Sequence, residues 1–333
     1  MFFKRLSISL IIFAALLFST QPLYAVDVYL GGQSIGIKLD YDGVLITGTY
    51  DISIDNKTYN PSSDGFKKGD LIIKINNESV ETIQELSHAI EKDLNSDMTL
   101  NLTIKRQNDI LKKQLHYQYI NNEFSTGLYV QDGMSGIGTV TCYLLLSHKF
   151  AALGHMMGDA ENRSILKNGT IYDSYIKNIR PSLKGDPGEK IAEIGDIELG
   201  KVYDNNQLGI YGTYNPEILS SLDIISTANK NDVKKGNAYF LTVIEGDEIK
   251  KCDIEITSIN LNAKDGLKGI TFKVTDKQLL NQCNGIVQGM SGSPIIQDGK
   301  LVGAVTHVLV NDPTRGYGIF IENMLEAAEK GAN

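Results

Sequence analysis

The sequence predicts a mostly β protein of the α+β class, and three observations lead to this prediction. The chain has 333 residues, which suggests about two domains, and 42% of them are hydrophobic, enough for each half to bury a core. Short runs of apolar and β-branched residues recur along the chain and are separated by turns that contain glycine. Two segments, 82–94 and 321–330, are typical of amphipathic helices.

The N-terminus is typical of a secretory signal. Met1–Arg5 is short and basic, Leu6–Phe18 is apolar, and Leu23–Ala25 ends on a small residue. This order of charge, apolar run and small cleavage site defines such signals. The apolar run is shorter than the roughly 20 residues that cross a bilayer, although Leu6–Leu23 together could remain as an uncleaved anchor. We predict a signal peptide or membrane anchor over residues 1–25, with the remainder outside the cytoplasm.

The first predicted domain, residues 28–119, combines short strands with one helix. In Thr82–Leu94 the apolar residues recur at helical spacing. Thr82, followed three residues later by Glu85, is the pattern of a capping box at a helix start. The predicted strands are Ile35–Leu39, Gly43–Gly48, Asp70–Ile75 and Thr99–Lys105.

The second predicted domain, residues 123–333, is richer still in short strands and ends in the helix Ile321–Lys330. Many short strands with turn residues between them predict a barrel or a sandwich. The predicted strands include Gly138–Leu146, Ile191–Ile194, Leu208–Thr213, Ala238–Ile244, Lys251–Ile259, Gly269–Val274 and Leu301–Val310.

The stretch Gly285–Pro294 contains the strongest candidate for a nucleophile, Ser291. Glycines beside the serine permit a tight turn and a close approach of substrate. The backbone N–H groups of Gly289 and Ser291 would then form an oxyanion hole for an attacked carbonyl. A glycine- and serine-rich hairpin turn is the alternative. The same Gly-Met-Ser-Gly recurs around Ser135, which we interpret as a loop entering the first barrel.

A general base for Ser291 has to come from five histidines. We favour His155, because it follows Gly154 at the end of an apolar run, where a side chain can reach a cleft. His307 lies within an apolar strand and is interpreted as a core residue. A Ser–Lys pair stays open, but no lysine has an apolar sequence context that would lower its pKa.

Charge and cysteine content exclude several other functions. The net charge of −8 argues against nucleic-acid binding, which needs a basic face. The three cysteines, Cys142, Cys252 and Cys283, are interpreted as buried apolar residues, because no Cys-x-x-Cys pair occurs. Histidines at metal-ligand spacing are also absent from the sequence. We therefore expect no metal and no cofactor.

A resemblance to PDZ domains begins at Gly65–Asn77 and the helix that follows it. The stretch Leu30–Ile37 is similar to the loop and strand of a PDZ peptide groove. This resemblance implies that Ser34, Ile35, Gly36 and Ile37 bind a peptide C-terminus as an added strand. His88 on the helix would face either this groove or solvent.

The chain as a whole resembles the stage IV sporulation protein B family of PDZ-containing serine peptidases. The stretches that carry the resemblance are Gly31–Gly36, Gly136–Thr139, Ala152–His155, Pro187–Lys190, Gly285–Ile296, Gly303–Val308 and Val310–Thr314. It implies a PDZ-like domain followed by a chymotrypsin-like double β-barrel peptidase domain. It also implies a triad of Ser291, His155 and Asp276, with Asp196 and Asp159 as alternative acids.

The resemblance further implies a role in sporulation signalling. Members cleave a membrane-bound regulatory protein in the space between mother cell and forespore membranes, and this triggers intramembrane processing of a pro-sigma factor. They also cleave themselves, and their PDZ domain binds peptide C-termini and controls activity. The competing hypothesis is a non-catalytic, secreted PDZ scaffold, which would be expected to have lost Ser291 or His155; both are present.

Overall fold

The computed structural model describes residues 25–54, 57–92, 97–120, 123–158, 166–219, 222–263 and 266–330. The predicted signal or anchor lies outside these residues except for Ala25. Within these ranges no helix is both long enough and apolar enough to cross a bilayer. Strands dominate, so the predicted mostly β fold is confirmed.

The described residues up to Ser125 form ten strands and one α-helix. They are β1 (Asp27–Leu30), β2 (Ser34–Thr49), β3 (Ile52–Ile54), β4 (Lys57–Tyr59), β5 (Leu71–Ile75), β6 (Glu78–Ser79), α1 (Ile83–Lys92), β7 (Thr99–Arg106), β8 (Asp109–His116), β9 (Gln118–Ile120) and β10 (Glu123–Ser125). Helix α1 starts as predicted: the Thr82 hydroxyl accepts a hydrogen bond from the N–H of Glu85 at 3.1 Å.

Six further strands follow. They are β11 (Leu128–Leu144), β12 (Lys149–Ala152), β13 (Leu166–Arg180), β14 (Glu189–Asn206), β15 (Gly209–Tyr214) and β16 (Ile224–Ser226). Strands β11, β12, β15, β14, β13 and β2 are hydrogen-bonded in that order, and β2 also pairs with β11. These six strands therefore close into a barrel.

The last part of the chain forms a second closed barrel, in the order β17, β18, β19, β22, β21, β20. Its elements are β17 (Gly236–Val243), β18 (Ile249–Ile259), β19 (Ile270–Val274), α2 (Lys277–Cys283), β20 (Pro294–Gln297), β21 (Lys300–Leu309), β22 (Asp312–Phe320) and α3 (Ile321–Lys330). Phe240, Phe272 and Phe320 fill its core. The predicted double β-barrel is confirmed.

Strand β2 is shared between the first barrel and the smaller unit that holds α1. Its first half, Ser34–Tyr41, pairs with β11 on one edge and β13 on the other. Its second half continues past Gly43, and Val44 and Leu45 pair with β5 of the smaller unit. Strand β1 and the first half of β2 were predicted to belong to the first domain, 28–119. In the structure β1 pairs with β11 and β16, and the first half of β2 closes the barrel of the second domain.

The hairpin of β13 and β14 extends from the first barrel onto the second, and we call its tip, residues 176–190, the arm. Ile176 and Gly246 exchange backbone hydrogen bonds at 2.7 and 2.9 Å. Further along the arm, the Ser182 hydroxyl donates to the carbonyl of Ile286 at 2.7 Å. The arm therefore lies against the segment that leads to Ser291.

Candidate active site

A cleft of about 640 Å³ lies between the two barrels and the arm, and Ser291 and His155 both line it. Most of its other walls are apolar. The first barrel contributes Ile37, Ser135, Gly136, Ile137, Leu153 and Met157, the arm contributes Pro187, Glu189 and Lys190, and the second barrel contributes Ile286, Val287, Gln288, Gly289, Thr306, His307, Val308 and Val310.

Ser291 lies in the loop between α2 and β20, and glycine is required on its C-terminal side. Gly292 has a φ of +91°, and a Cβ there would stand 2.0 Å from the carbonyl oxygen of Thr139. No side chain fits at such a distance, and a positive φ favours glycine. In this conformation the Ser291 hydroxyl donates to the carbonyl of Thr306 at 2.9 Å.

Strand β11 of the first barrel holds this loop through three hydrogen bonds. The N–H of Thr139 donates to the carbonyl of Ser291 at 3.0 Å. The Thr139 hydroxyl donates to the carbonyl of Gly289 at 2.9 Å, and the Thr141 hydroxyl donates to the carbonyl of Gly292 at 2.7 Å. Because these three carbonyls are fixed from one side, the orientation of the intervening peptide groups is fixed as well.

The N–H groups of Gly289 and Ser291 are available for a ligand. Gly289 has a φ of +93°, and both residues line the cleft. Neither N–H donates a hydrogen bond to any group among the described residues. Two unengaged backbone donors beside a serine hydroxyl are what an oxyanion hole requires.

His155 follows a sharp turn at the end of β12. Leu153 and Gly154 both have positive φ values, 65° and 67°, and they redirect the chain into the cleft. The imidazole Nδ1 lies 2.9 Å from the carbonyl oxygen of Met156. A carbonyl can only accept, so Nδ1 carries the proton and Nε2 is left as an acceptor. Burial lowers the pKa of His155, against the hydrogen bond to Met156, which favours the neutral base.

Asp276 and His155 are joined by no hydrogen bond or ion pair among the described residues, so the predicted acid is not engaged in this structure. Its carboxylate caps α2, where Oδ1 accepts a hydrogen bond from the N–H of Leu279 at 2.7 Å. No carboxylate among the described residues contributes to the pKa shift of His155. Asp196 is exposed on β14 and does not line the cleft, and Asp159 lies outside the described residues.

The structure corrects the interpretations of His307 and Ser135 that were made from the sequence. His307 was interpreted as a core residue, but it is exposed, and its ring centroid lies 4.9 Å from that of His155. The apolar pattern of β21 is real, but the pairing of β21 with β22 shifts register between Val305 and His307, and His307 lines the cleft. Ser135 is part of strand β11 rather than a loop and lines the wall of the cleft.

The predicted peptide groove at Ser34–Ile37 is wrong. Both edges of this part of β2 are hydrogen-bonded inside the first barrel, so no peptide can add there. A groove of about 220 Å³ lies beside α1, but β11 rather than β2 forms its wall. Strand β11 occupies the edge of the second half of β2, where Leu128 pairs with Thr49 and Tyr129 with Gly48. His88 on α1 is exposed to solvent.

Lys190 contradicts the expectation that no lysine has an apolar environment. It is only 5% exposed, and burial lowers the pKa of its amine to about 7. Its amine donates to the hydroxyl of Thr242 at 2.9 Å. The sequence around it, Gly-Glu-Lys-Ile, gives no sign of burial, because the apolar surroundings come from the other barrel.

The three cysteines are buried free thiols, as predicted. Burial raises the pKa of Cys142 to about 12 and that of Cys283 to about 11. Thiols with such values carry almost no thiolate at neutral pH, so neither is a nucleophile.

A family model matches more than half of the chain. Residues 122–325 match the family model described as SpoIVB peptidase S55. No curated protein matched the chain. The active form of the Rv3671c protease from M. tuberculosis is 14% identical, with 58% of this chain and 74% of that chain covered at a TM-score of 0.34. The inactive form of the same protease is 13% identical, with 59% and 85% covered at a TM-score of 0.32.

Proposed function

The chain belongs to the SpoIVB peptidase S55 family of serine peptidases, and from that premise we propose that Ser291 is its nucleophile and His155 its general base. The observation that carries the proposal is their convergence, from different barrels, on one cleft beside the unengaged N–H groups of Gly289 and Ser291.

The proposed reaction starts when the Ser291 hydroxyl turns from the carbonyl of Thr306 towards Nε2 of His155. Apo geometry of this kind often tightens only when substrate binds. The Ser291 oxygen attacks the peptide carbonyl while Nε2 of His155 takes the hydroxyl proton. His155 later gives this proton to the leaving amine. The N–H groups of Gly289 and Ser291 stabilise the negative oxygen. The carbonyl of Met156 holds the tautomer of His155, the task that an aspartate has in other triads.

Labelling of the purified full-length protein with a fluorophosphonate probe tests this assignment. The wild type should be labelled, and Ser291→Ala should not be. Ser135→Ala is the matched control, since it removes a serine from the same cleft and the same tetrapeptide pattern; it should be labelled at the wild-type rate. His155→Gln should slow labelling by several orders of magnitude. Equal labelling of wild type and Ser291→Ala would refute the proposal.

The biological role is proposed on the family relationship. We propose that an exported form, either released or membrane-anchored, cleaves a membrane-bound regulatory protein between the mother cell and forespore membranes, and that it also cleaves itself. The apolar walls of the cleft, among them Ile37, Val308 and Val310, suit an extended peptide with apolar side chains. Incubation of wild type and Ser291→Ala, followed by mass spectrometry of the N-terminal fragments, tests self-cleavage. Fragments that form equally in both would exclude it.

We also propose that the PDZ-like unit controls peptidase activity, on the condition that part of β11 first moves. A peptide C-terminus can add to the second half of β2 only after Leu128–Val130 leaves the edge that it occupies. Asp132 also ties this segment to α1, because its carboxylate accepts the N–H of Ile83 at 2.9 Å. A peptide that binds in the groove should therefore speed hydrogen exchange of the Leu128–Val130 amides, and Asp132→Ala should increase peptide affinity. Peptide binding with unchanged exchange would exclude this groove.

A further inference from the structure

Lys190 is a buried titratable group that the proposed mechanism leaves unused, and its backbone is joined to the nucleophile loop. Its N–H donates to the carbonyl of Gln288 at 3.0 Å, and the N–H of Gln288 donates to the carbonyl of Gly188 at 2.8 Å. The arm and the loop therefore form a short parallel bridge that ends one residue before Gly289.

The side chain of Lys190 continues from this bridge across Gly289. A Cβ built on Gly289 would stand 2.9 Å from Cδ of Lys190 and 3.2 Å from its Cβ and Cγ. The methylene stem therefore covers the face of Gly289 that has no side chain. On another side, the hydroxyl of Thr139 holds the Gly289 carbonyl at 2.9 Å. A glycine with a positive φ has wide conformational freedom, and these two contacts restrict it.

The amine at the end of the stem lies inside the second barrel. It donates to the hydroxyl of Thr242 at 2.9 Å, and the titratable groups that act on it are the thiols of Cys283 and Cys252. No carboxylate among the described residues forms an ion pair with it, and Glu189 beside it is paired instead with Arg180 at 3.1 Å. A charged amine is costly in such a place. The neutral form of the Lys190 amine avoids this cost.

We propose that Lys190 is a positioning residue for the oxyanion hole: its neutral side chain, anchored on Thr242, holds Gly289 so that the N–H of Gly289 stays directed at the substrate carbonyl. Protonation of the amine favours its withdrawal from the barrel towards the cleft, which Lys190 also lines, and this withdrawal releases Gly289. Catalysis is then lost on acidification for a second reason besides protonation of His155. The inference rests on the proposed role of Ser291.

The test measures fluorophosphonate labelling as a function of pH, with the maximal rate and the probe affinity determined separately. Lys190→Ala removes the stem and should lower the maximal rate by about 10²-fold, the range for loss of an oxyanion donor, with little change in probe affinity. Lys190→Met keeps a stem without a titrating group. It should retain most of the rate at pH 8 and exceed the wild type below pH 7, because burial places the pKa of the lysine near that value.

Lys201→Met is the matched control, since Lys201 is an exposed lysine on the same strand; it should follow the wild type at every pH. Thermal unfolding verifies that each variant is folded. Wild-type rates and pH profiles in both Lys190 variants would overturn the inference while leaving the role of Ser291 intact. A loss of probe affinity at unchanged maximal rate would also overturn it, because it would indicate a packing role in the cleft. Labelling that survives Ser291→Ala would instead refute the proposed function.

Discussion

Replacing Asp276 by asparagine separates a catalytic from a structural role of this carboxylate. A triad aspartate changed to asparagine loses about 10⁴ in rate, equivalent to about 5.4 kcal/mol of transition-state stabilisation. In the structure Asp276 instead caps α2, with Oδ1 2.7 Å from the N–H of Leu279. Asparagine caps a helix as well as aspartate does. We therefore expect Asp276→Asn to keep its stability and to label with fluorophosphonate within about threefold of the wild-type rate, far from the triad value.

Asp276→Ala tests the structural role of the Asp276 carboxylate as a helix cap. Removal of the cap should lower the free energy of unfolding by about 1 kcal/mol, measured by urea denaturation, and leave the labelling rate of the folded protein nearly unchanged. A fall of 10³-fold or more in Asp276→Asn at unchanged stability would refute the reasoning. It would mean that the carboxylate leaves α2 and reaches His155 when substrate binds.

Three further outcomes follow from the same contacts. Thr139→Val leaves the buried carbonyl of Gly289 unpaired and should lower the free energy of unfolding by about 1–3 kcal/mol, whereas Thr139→Ser, which keeps the hydroxyl, should lose much less in the same urea titration. His307→Ala exposes His155 to water; because burial lowers the pKa of His155, the acid limb of the labelling rate should move to higher pH, and an unmoved limb would contradict the burial argument. Lys190 has a folded-state pKa of about 7 against 10.5 unfolded, so the unfolded chain binds more protons between these values and wild-type stability rises with pH across that window. The free energy of unfolding of Lys190→Met should therefore exceed that of the wild type by up to about 5 kcal/mol at or below pH 7, and by less at pH 9. A difference that is independent of pH in urea titrations would show that the amine does not titrate there.

The environments of the Lys190 and His307 side chains could not be predicted from the sequence. Lys190 has polar and small neighbours in the chain, and its burial is produced by Thr242, Cys252 and Cys283 of the other barrel. His307 has apolar neighbours that do predict a strand, but the pairing of that strand shifts register between Val305 and His307, and the His307 side chain is exposed at the cleft. In both cases the environment of the side chain is set by residues far away in sequence.

The prediction of a peptide groove at Ser34–Ile37 was wrong for a related reason. The apolar pattern of residues 35–48 correctly predicts β structure, and the long strand β2 contains it. Which edges of a strand are free depends on its partners. Here β11, nearly a hundred residues later, occupies the edge along both halves of β2. A period-two pattern specifies the faces of a strand but not its neighbours.

The sequence by itself determined the β-rich class and the positions of the glycines around Ser291, because both depend on local requirements. Strands need alternating apolar residues, and a turn with positive φ at Gly289 and Gly292 needs glycine. Only the tertiary structure decided that Asp276 caps a helix, that β11 occupies the edge of the second half of β2 and that Lys190 crosses Gly289. These outcomes depend on long-range packing, in which side chains from two barrels compete for the same space and the same hydrogen bonds.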